Sequence, residues 1–260
     1  MSKKKEIINL KKEDLNPGRV LKENDFLSPP DLVARLGGSY AAKLGINLHR
    51  LSPDEIYKWF IAAVLYGAPI PGSIATRAWH IFADNDILMP ERMIDSGWDK
   101  LVALLDQGGY VRYDYKTATK LLDINRALLE RYDGNFNILH AAAIDSGDLA
   151  RRIMELGKGI GKVTTYIFLR ELRGKWQKAD PPFSPLAFTA AQMLGYLPDN
   201  INNDSGQIVA YLQGLWEKYE MAAESFCDFE AALIRKGLDI RRHTVRNQAI
   251  RLKDRHLHSG

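Results

Sequence analysis

The sequence predicts an all-α protein, and three observations carry that prediction. Apolar residues recur at spacings of three and four through most of the chain, period-2 alternation is almost absent, and helix start and stop signals come at short intervals. The 260 residues, 46% hydrophobic and 26% charged, suffice for one large domain or two small ones with a real core. There is no internal repeat and no low-complexity tract.

Residues 1–28 form a charged N-terminal arm, with Lys3-Lys4-Lys5 and Lys11-Lys12, closed by Ser28-Pro29-Pro30. Asp31 is positioned to cap a short helix carrying Leu32, Val33 and Leu36, which Gly37-Gly38 stops. Ser52-Pro53-Asp54-Glu55 supplies a cap, a first-turn proline and acids, the elements of a strong helix start. The next run, IYKWFIAAVLYGA, is apolar nearly all round, as a central buried helix must be, and Pro69 to Gly72 break it.

Ile74 to Phe82 resumes helical spacing, and Pro90 to Met93 opens a short helix. Trp98 to Leu105 is amphipathic and ends at Gly108-Gly109. Lys116 to Tyr132 is a long helix with Leu121, Leu122, Ile124, Leu128 and Leu129 on its apolar stripe. Asn137 to Ala143 and Asp148 to Leu156 are short helices, and the second carries Leu149, Ile153 and Leu156 on one face. Beyond a three-proline loop at residues 174–185, helices are expected over Leu186 to Leu194, Ile208 to Tyr219 and Met221 to Lys236, with a loop at Asn200 to Asp204.

The segment with the most chemistry in it is LGKGIGKVTTYIFLREL, Leu156 to Leu172. Gly159 and Gly161 bracket Ile160, Lys162 comes next, and a helix begins at once. Such a turn lets backbone N–H groups and a helix N-terminus face an anion without intervening side chains. A helix–helix connection that simply needs glycine is the alternative. The formal charge of +4 allows a polyanionic partner without demanding one. Arg241, Arg242, Arg246, Arg251, Lys253 and Arg255 face only Asp254, a cluster that suits either DNA or a solvated basic tail over 246–260.

A single cysteine, Cys227, excludes an internal disulfide and any multi-cysteine zinc or iron–sulfur site, and its helical apolar setting suggests a buried inert thiol. His256 and His258 are too poor in further ligands to make a metal site. No apolar run succeeds the opening lysines and none reaches the roughly 18 residues of a membrane span. The expectation is a soluble intracellular protein of the cytoplasm or nucleoid, monomeric and without membrane partners.

In the order of these landmarks, the chain resembles the helix-hairpin-helix DNA glycosylase superfamily, the endonuclease III-like group, over roughly Asp54 to Lys236. WFIAAVLYGAPIPGSIATRAWHIF looks like the family's first barrel helix and the segment after it, and GGYVRYDYKTATKLL like its glycine turn and Lys-containing helix. LGKGIGKVTTYIFL is similar to the hairpin, and GKWQKADPPFSPL stands where the family has its catalytic-aspartate loop. The resemblance implies a six-helix barrel over 54–170, a second helical lobe from 29–53 plus 171–245, and double-stranded DNA held in the cleft between them. It also implies that Gly159, Ile160, Gly161 and Lys162 grip phosphate, helped by Lys116 and Arg112. Hairpin carbonyls in this family can hold a monovalent cation as well.

Asp180, 19 residues beyond Gly161, matches the carboxylate that stabilises the cationic sugar in the transition state, although Pro181-Pro182 replace the usual continuation. A loop Asp beside prolines is its structural alternative. Where bifunctional members carry a Schiff-base lysine, this chain has Val163, and Lys162 points about 100° away around the helix. Tyr110, Val111 and Tyr113 occupy the segment of a base-flipping wedge or pocket, or else pack beside the glycine turn. Tyr66-Gly67-Ala68 replaces the family's wedge Gln, and Arg241, Arg242, His243 and Arg246 replace its four-cysteine iron–sulfur loop, so no cofactor is expected. The resemblance thus implies a base-excision-repair N-glycosylase without lyase activity. The rival is a catalytically inactive DNA-binding protein on the same scaffold, and behind it an RNA-directed or protein-interaction module.

Overall fold

The computed structural model describes residues 27–198, 200–202 and 204–257, with side chains to residue 246. Most of the charged arm and the last three residues lie outside the described residues. So do Asp199 and Asn203, the latter within the expected Asn200 to Asp204 loop. Among the described residues all regular structure is helical. In chain order the α-helices are α1 (Pro29–Leu36), α2 (Tyr40–Lys43), α3 (Pro53–Tyr66), α4 (Gly72–Asp84), α5 (Pro90–Asp95), α6 (Gly97–Gln107) and α7 (Asp114–Tyr132). Then come α8 (Phe136–Ala142), α9 (Ser146–Met154), α10 (Lys162–Arg170), α11 (Pro185–Met193), α12 (Ser205–Glu217) and α13 (Phe226–Leu257).

The chain divides into two compact units, one over residues 39–182 and one joining the segment up to Gly38 to the segment from Phe183. Residues 39–53 and 171–182, expected in a second lobe, cluster instead with the unit that holds the hairpin. Packing explains the shift. Glu171 is buried and accepts hydrogen bonds from the Ser39 hydroxyl and the Tyr40 amide, tying the start of this unit to the segment after α10.

Within residues 39–182 the core forms around α3, whose residues Trp59 to Leu65 are all buried. Pro53 occupies its first turn, where a missing N–H is harmless, although the Ser52 side chain makes no cap bond. Phe60, Phe136 and Phe168 meet with ring centroids 4.4, 5.1 and 5.2 Å apart, joining α3 to α8 and α10. The Trp59 indole donates to the Phe168 carbonyl at 3.0 Å. The Tyr57 hydroxyl donates to Asn125 Oδ1 on α7 at 2.7 Å, and Asn125 Nδ2 donates to the Leu121 carbonyl. Burial pushes the Tyr57 phenol well above its ordinary range, so it remains a neutral donor.

In the other unit, α11 and α12 pack against α13 around Trp216 and Phe229, whose rings stack at 5.4 Å. Arg235 of α13 donates to the carbonyls of Gly37 and Gly38, just after α1. Ser28, rather than Asp31, caps α1: its hydroxyl oxygen accepts from the Asp31 amide, and Asp31 sits in the first turn. The last helix also departs from expectation. α13 continues through the basic stretch to Leu257, where a helix ending near Lys236 and a separate tail from residue 246 were anticipated. Cys227 is buried in its first turn, as anticipated.

Gly237 of α13 lies so close to α11 that a Cβ would come 2.1 Å from the Leu186 carbonyl oxygen. Gly237→Ala is therefore expected to destabilise this unit by about 1–3 kcal/mol or more, the usual range for overpacking. Gly214→Ala, in the interior of α12 with nothing within 4 Å of its Cβ position, should stabilise by about 0.5–1 kcal/mol. Urea denaturation of both variants measures the contrast.

Candidate nucleic-acid interface

The hairpin is built from α9, a turn and α10. Asp145 caps α9 by accepting from the Asp148 amide at 2.8 Å. Asp148 in turn accepts from the Ile144 amide at 2.9 Å and Arg152 Nε at 2.8 Å, and also pairs with Arg151. The Arg152 hydrogen bond, then that from the Ile144 amide, holds the Asp148 carboxyl at about 2. Leu149, Ile153 and Leu156 are buried, as their spacing predicts, and fix α9 against the core.

The turn then runs along α7. A Cβ on Gly157 would come 2.9 Å from Ile124 Cγ1, and one on Gly159 would come 3.0 Å from Lys120 Cε. Two residues of turn thus match one helical turn of α7, read toward its N-terminus. Gly159 also has φ +89°, which L side chains rarely adopt. Ile160 is buried, and its amide donates to the Gly157 carbonyl at 3.1 Å.

Gly161 needs a different explanation. Its φ of −110° suits any residue, and no atom lies within 4 Å of its Cβ position. Packing and backbone geometry therefore leave the site open to a side chain. What the glycine contributes is room at the N-terminus of α10, which no side chain caps among the described residues. Gly161, Lys162 and Val163 are all exposed there, so the leading amides and the Lys162 ammonium can meet an incoming anion. Val163 is 64% exposed, so it packs into no core, and it carries no amine.

Lys120 is a cation that sequence reasoning missed. It is half-buried against Gly159, and burial lowers its pKa from the ordinary lysine value. Lys116 lies four residues earlier on the same face of α7 and is exposed. The one available signal was that i, i+4 spacing, which turns one candidate cation into two.

The expected wedge segment divides. Tyr110 is corrected to a structural role: it is buried, its hydroxyl donates to the Leu65 carbonyl at 2.8 Å, and burial raises its pKa. Val111 and Arg112 are exposed, whereas Tyr113 is half-buried with the Arg112 guanidinium 5.7 Å from its ring centroid. The Tyr66 hydroxyl shares a 2.7 Å hydrogen bond with Thr76 Oγ1. At Gly67 a Cβ would overlap Thr164 Oγ1 in the first turn of α10.

Asp180 lies in the same unit, beyond the end of α10. Its carboxylate is 68% exposed and pairs at 2.5 Å with Arg173, which is 3% exposed and also donates to the Pro181 carbonyl. The pair orients Asp180 and offsets part of its charge, and Arg173 gives the aspartate a structural duty. Just upstream, His140 stacks on Trp176 at 4.5 Å, and Lys178 Nζ donates to the His140 carbonyl at 2.9 Å. Among the described residues, no group of three or more His, Cys, Asp or Glu side chains is placed to hold a metal ion. No described helix is long and apolar enough to cross a membrane.

Burial, and then the Lys178 charge, hold His140 below its ordinary value of 6.5. The folded state therefore binds fewer protons than the unfolded chain just below pH 6.5, and stability falls as pH drops through that value toward the folded pKa. Asp148 adds a separate stabilisation, present in full above 3.8 and lost as pH falls through about 2. Melting temperature against pH should show both steps, and His140→Phe should remove only the first. An unchanged first step in that variant would reassign it to another group. Among known proteins, no family model and no curated sequence matches this chain.

Proposed function

We propose that this protein is a DNA-binding base-excision-repair protein that grips one phosphate backbone through the hairpin and hydrolyses the base–sugar bond without strand cleavage. Gly161 is the observation that carries the reading. Neither packing nor backbone strain requires its missing side chain, which leaves room for a close approach to the N-terminus of α10. Lys162, Lys120 and Lys116 favour a negatively charged partner there, and a regularly charged strand fits a row of cations along α7.

For the chemistry, Asp180 supplies a carboxylate facing a sugar that turns cationic as the base leaves with the electrons of the glycosidic bond. Water then adds at the sugar carbon and loses a proton. Val163 provides no amine for a covalent intermediate. Exposed Val111 is the segment's remaining candidate for filling the vacated stack. A second reading, DNA binding without catalysis, is favoured by one observation: Arg173 already claims the Asp180 carboxylate.

Affinity for duplex DNA should fall with salt at a log–log slope of about −0.9 per phosphate contacted. Lys162→Glu should weaken binding for every sequence and flatten that slope, while Gly161→Val should weaken it with the fold intact. A flat salt response in the wild type would overturn the DNA reading. Against duplexes carrying single modified bases, Asp180→Asn should abolish base release at nearly constant affinity. Wild-type protein that releases no base from any such duplex establishes the binding-only reading, and a borohydride-trapped adduct would refute the argument from Val163.

A further inference from the structure

We propose that Trp98 and Tyr115 form a stacking platform for unpaired nucleobases, set beside the cation row of α7. This goes beyond the hairpin grip and needs neither Gly161 nor Asp180. Large aromatic side chains at a surface are usually mobile, but these two are held. The Trp98 indole N–H donates to Thr119 Oγ1 at 3.0 Å, and the Thr119 hydroxyl donates to the Tyr115 carbonyl at 3.0 Å. The Trp98 and Tyr115 rings touch with centroids 5.2 Å apart at a 46° tilt. Yet Trp98 stays 39% exposed and Tyr115 61% exposed. The indole's only polar atom is engaged by Thr119, and Trp98 keeps part of its ring surface exposed to solvent.

The surrounding charge selects the occupant. On α7, Tyr115 and Thr119 form one row and Lys116 and Lys120 the next, about 100° around the helix. Arg112 is exposed in the turn that precedes α7. Asp114, buried at the start of α7, is the acid on this helix next to the row, and its carboxylate accepts the Tyr115 amide at 2.7 Å. Asp99 and Lys100, both exposed after Trp98, offset each other. Aromatic faces beside cations spaced along one helix match a strand whose bases are unstacked and whose phosphates are regularly spaced. A purely apolar peptide would leave the lysines without partners.

The test compares a matched duplex, the same duplex with an unpaired bulge, and a short single strand, by fluorescence anisotropy. The bulged and single-stranded probes should bind about tenfold more tightly than the matched duplex, as one or two stacked bases would give. Trp98→Ala and Tyr115→Ala should each erase that preference at unchanged affinity for the matched duplex, and Trp98→Phe should restore most of it. Preference that survives both alanine variants, or is absent in the wild type, overturns the platform. A flat salt response with the matched duplex, alongside an aromatic-dependent preference for the single strand, would overturn the repair reading and leave the platform standing.

Discussion

Close contact between the hairpin turn and α7 is the constraint on which the hairpin's arrangement depends. Gly157 over Ile124 and Gly159 over Lys120 let backbone lie where a side chain would collide. That approach seats α9 and α10 together on the core. It brings Phe168 into the aromatic cluster with Phe60 and Phe136, and it sets Gly159, two residues before the uncapped end of α10, against Lys120 of α7. A side chain at residue 157 would push the turn outward and away from Ile124. Of the three turn glycines Gly157, Gly159 and Gly161, only the last meets no neighbouring atom at its Cβ position.

Charge within this unit is arranged in two ways. Asp148 is tied to two arginines and a backbone amide, a local arrangement that fixes the start of α9 and offers nothing to a ligand. Asp180 is tied to a buried guanidinium but presents most of its carboxylate to solvent. A buried Arg needs a counter-charge, because stripping water from a guanidinium is costly. Asp180 meets that need whether or not it also faces a sugar. Lys116, Lys120 and Lys162 differ from both carboxylates, since no ion pair with an acidic side chain is seen for them among the described residues.

Helix starts with strong local chemistry were legible in the sequence. Ser52-Pro53, Pro90, and Lys162 after Gly161 begin helices where read, because a first-turn proline or a glycine before the helix sets the backbone locally. The four-residue α2 was missed: beyond its local Ser39 cap, it is held by Glu171, 131 residues along the chain from Tyr40. The extent of α13 was missed for a related reason. Its second half lacks a continuous apolar stripe, but its Arg- and Lys-rich sequence forms helix readily, so the amphipathic signal stops before the helix does.

The sequence by itself determined the all-α class, the order of the helices and the existence of a glycine turn before a Lys-led helix, because each depends on neighbours within one or two turns. Only the tertiary structure decided which side chains of the candidate site are available. Tyr110 and Val111 are adjacent, yet one is sealed beneath the end of α3 and the other meets solvent. Lys120 became a hairpin residue, and Arg173 became the partner of Asp180, through contacts that composition and period cannot encode. Burial is set by partners distant along the chain, and for these groups burial decides the chemistry.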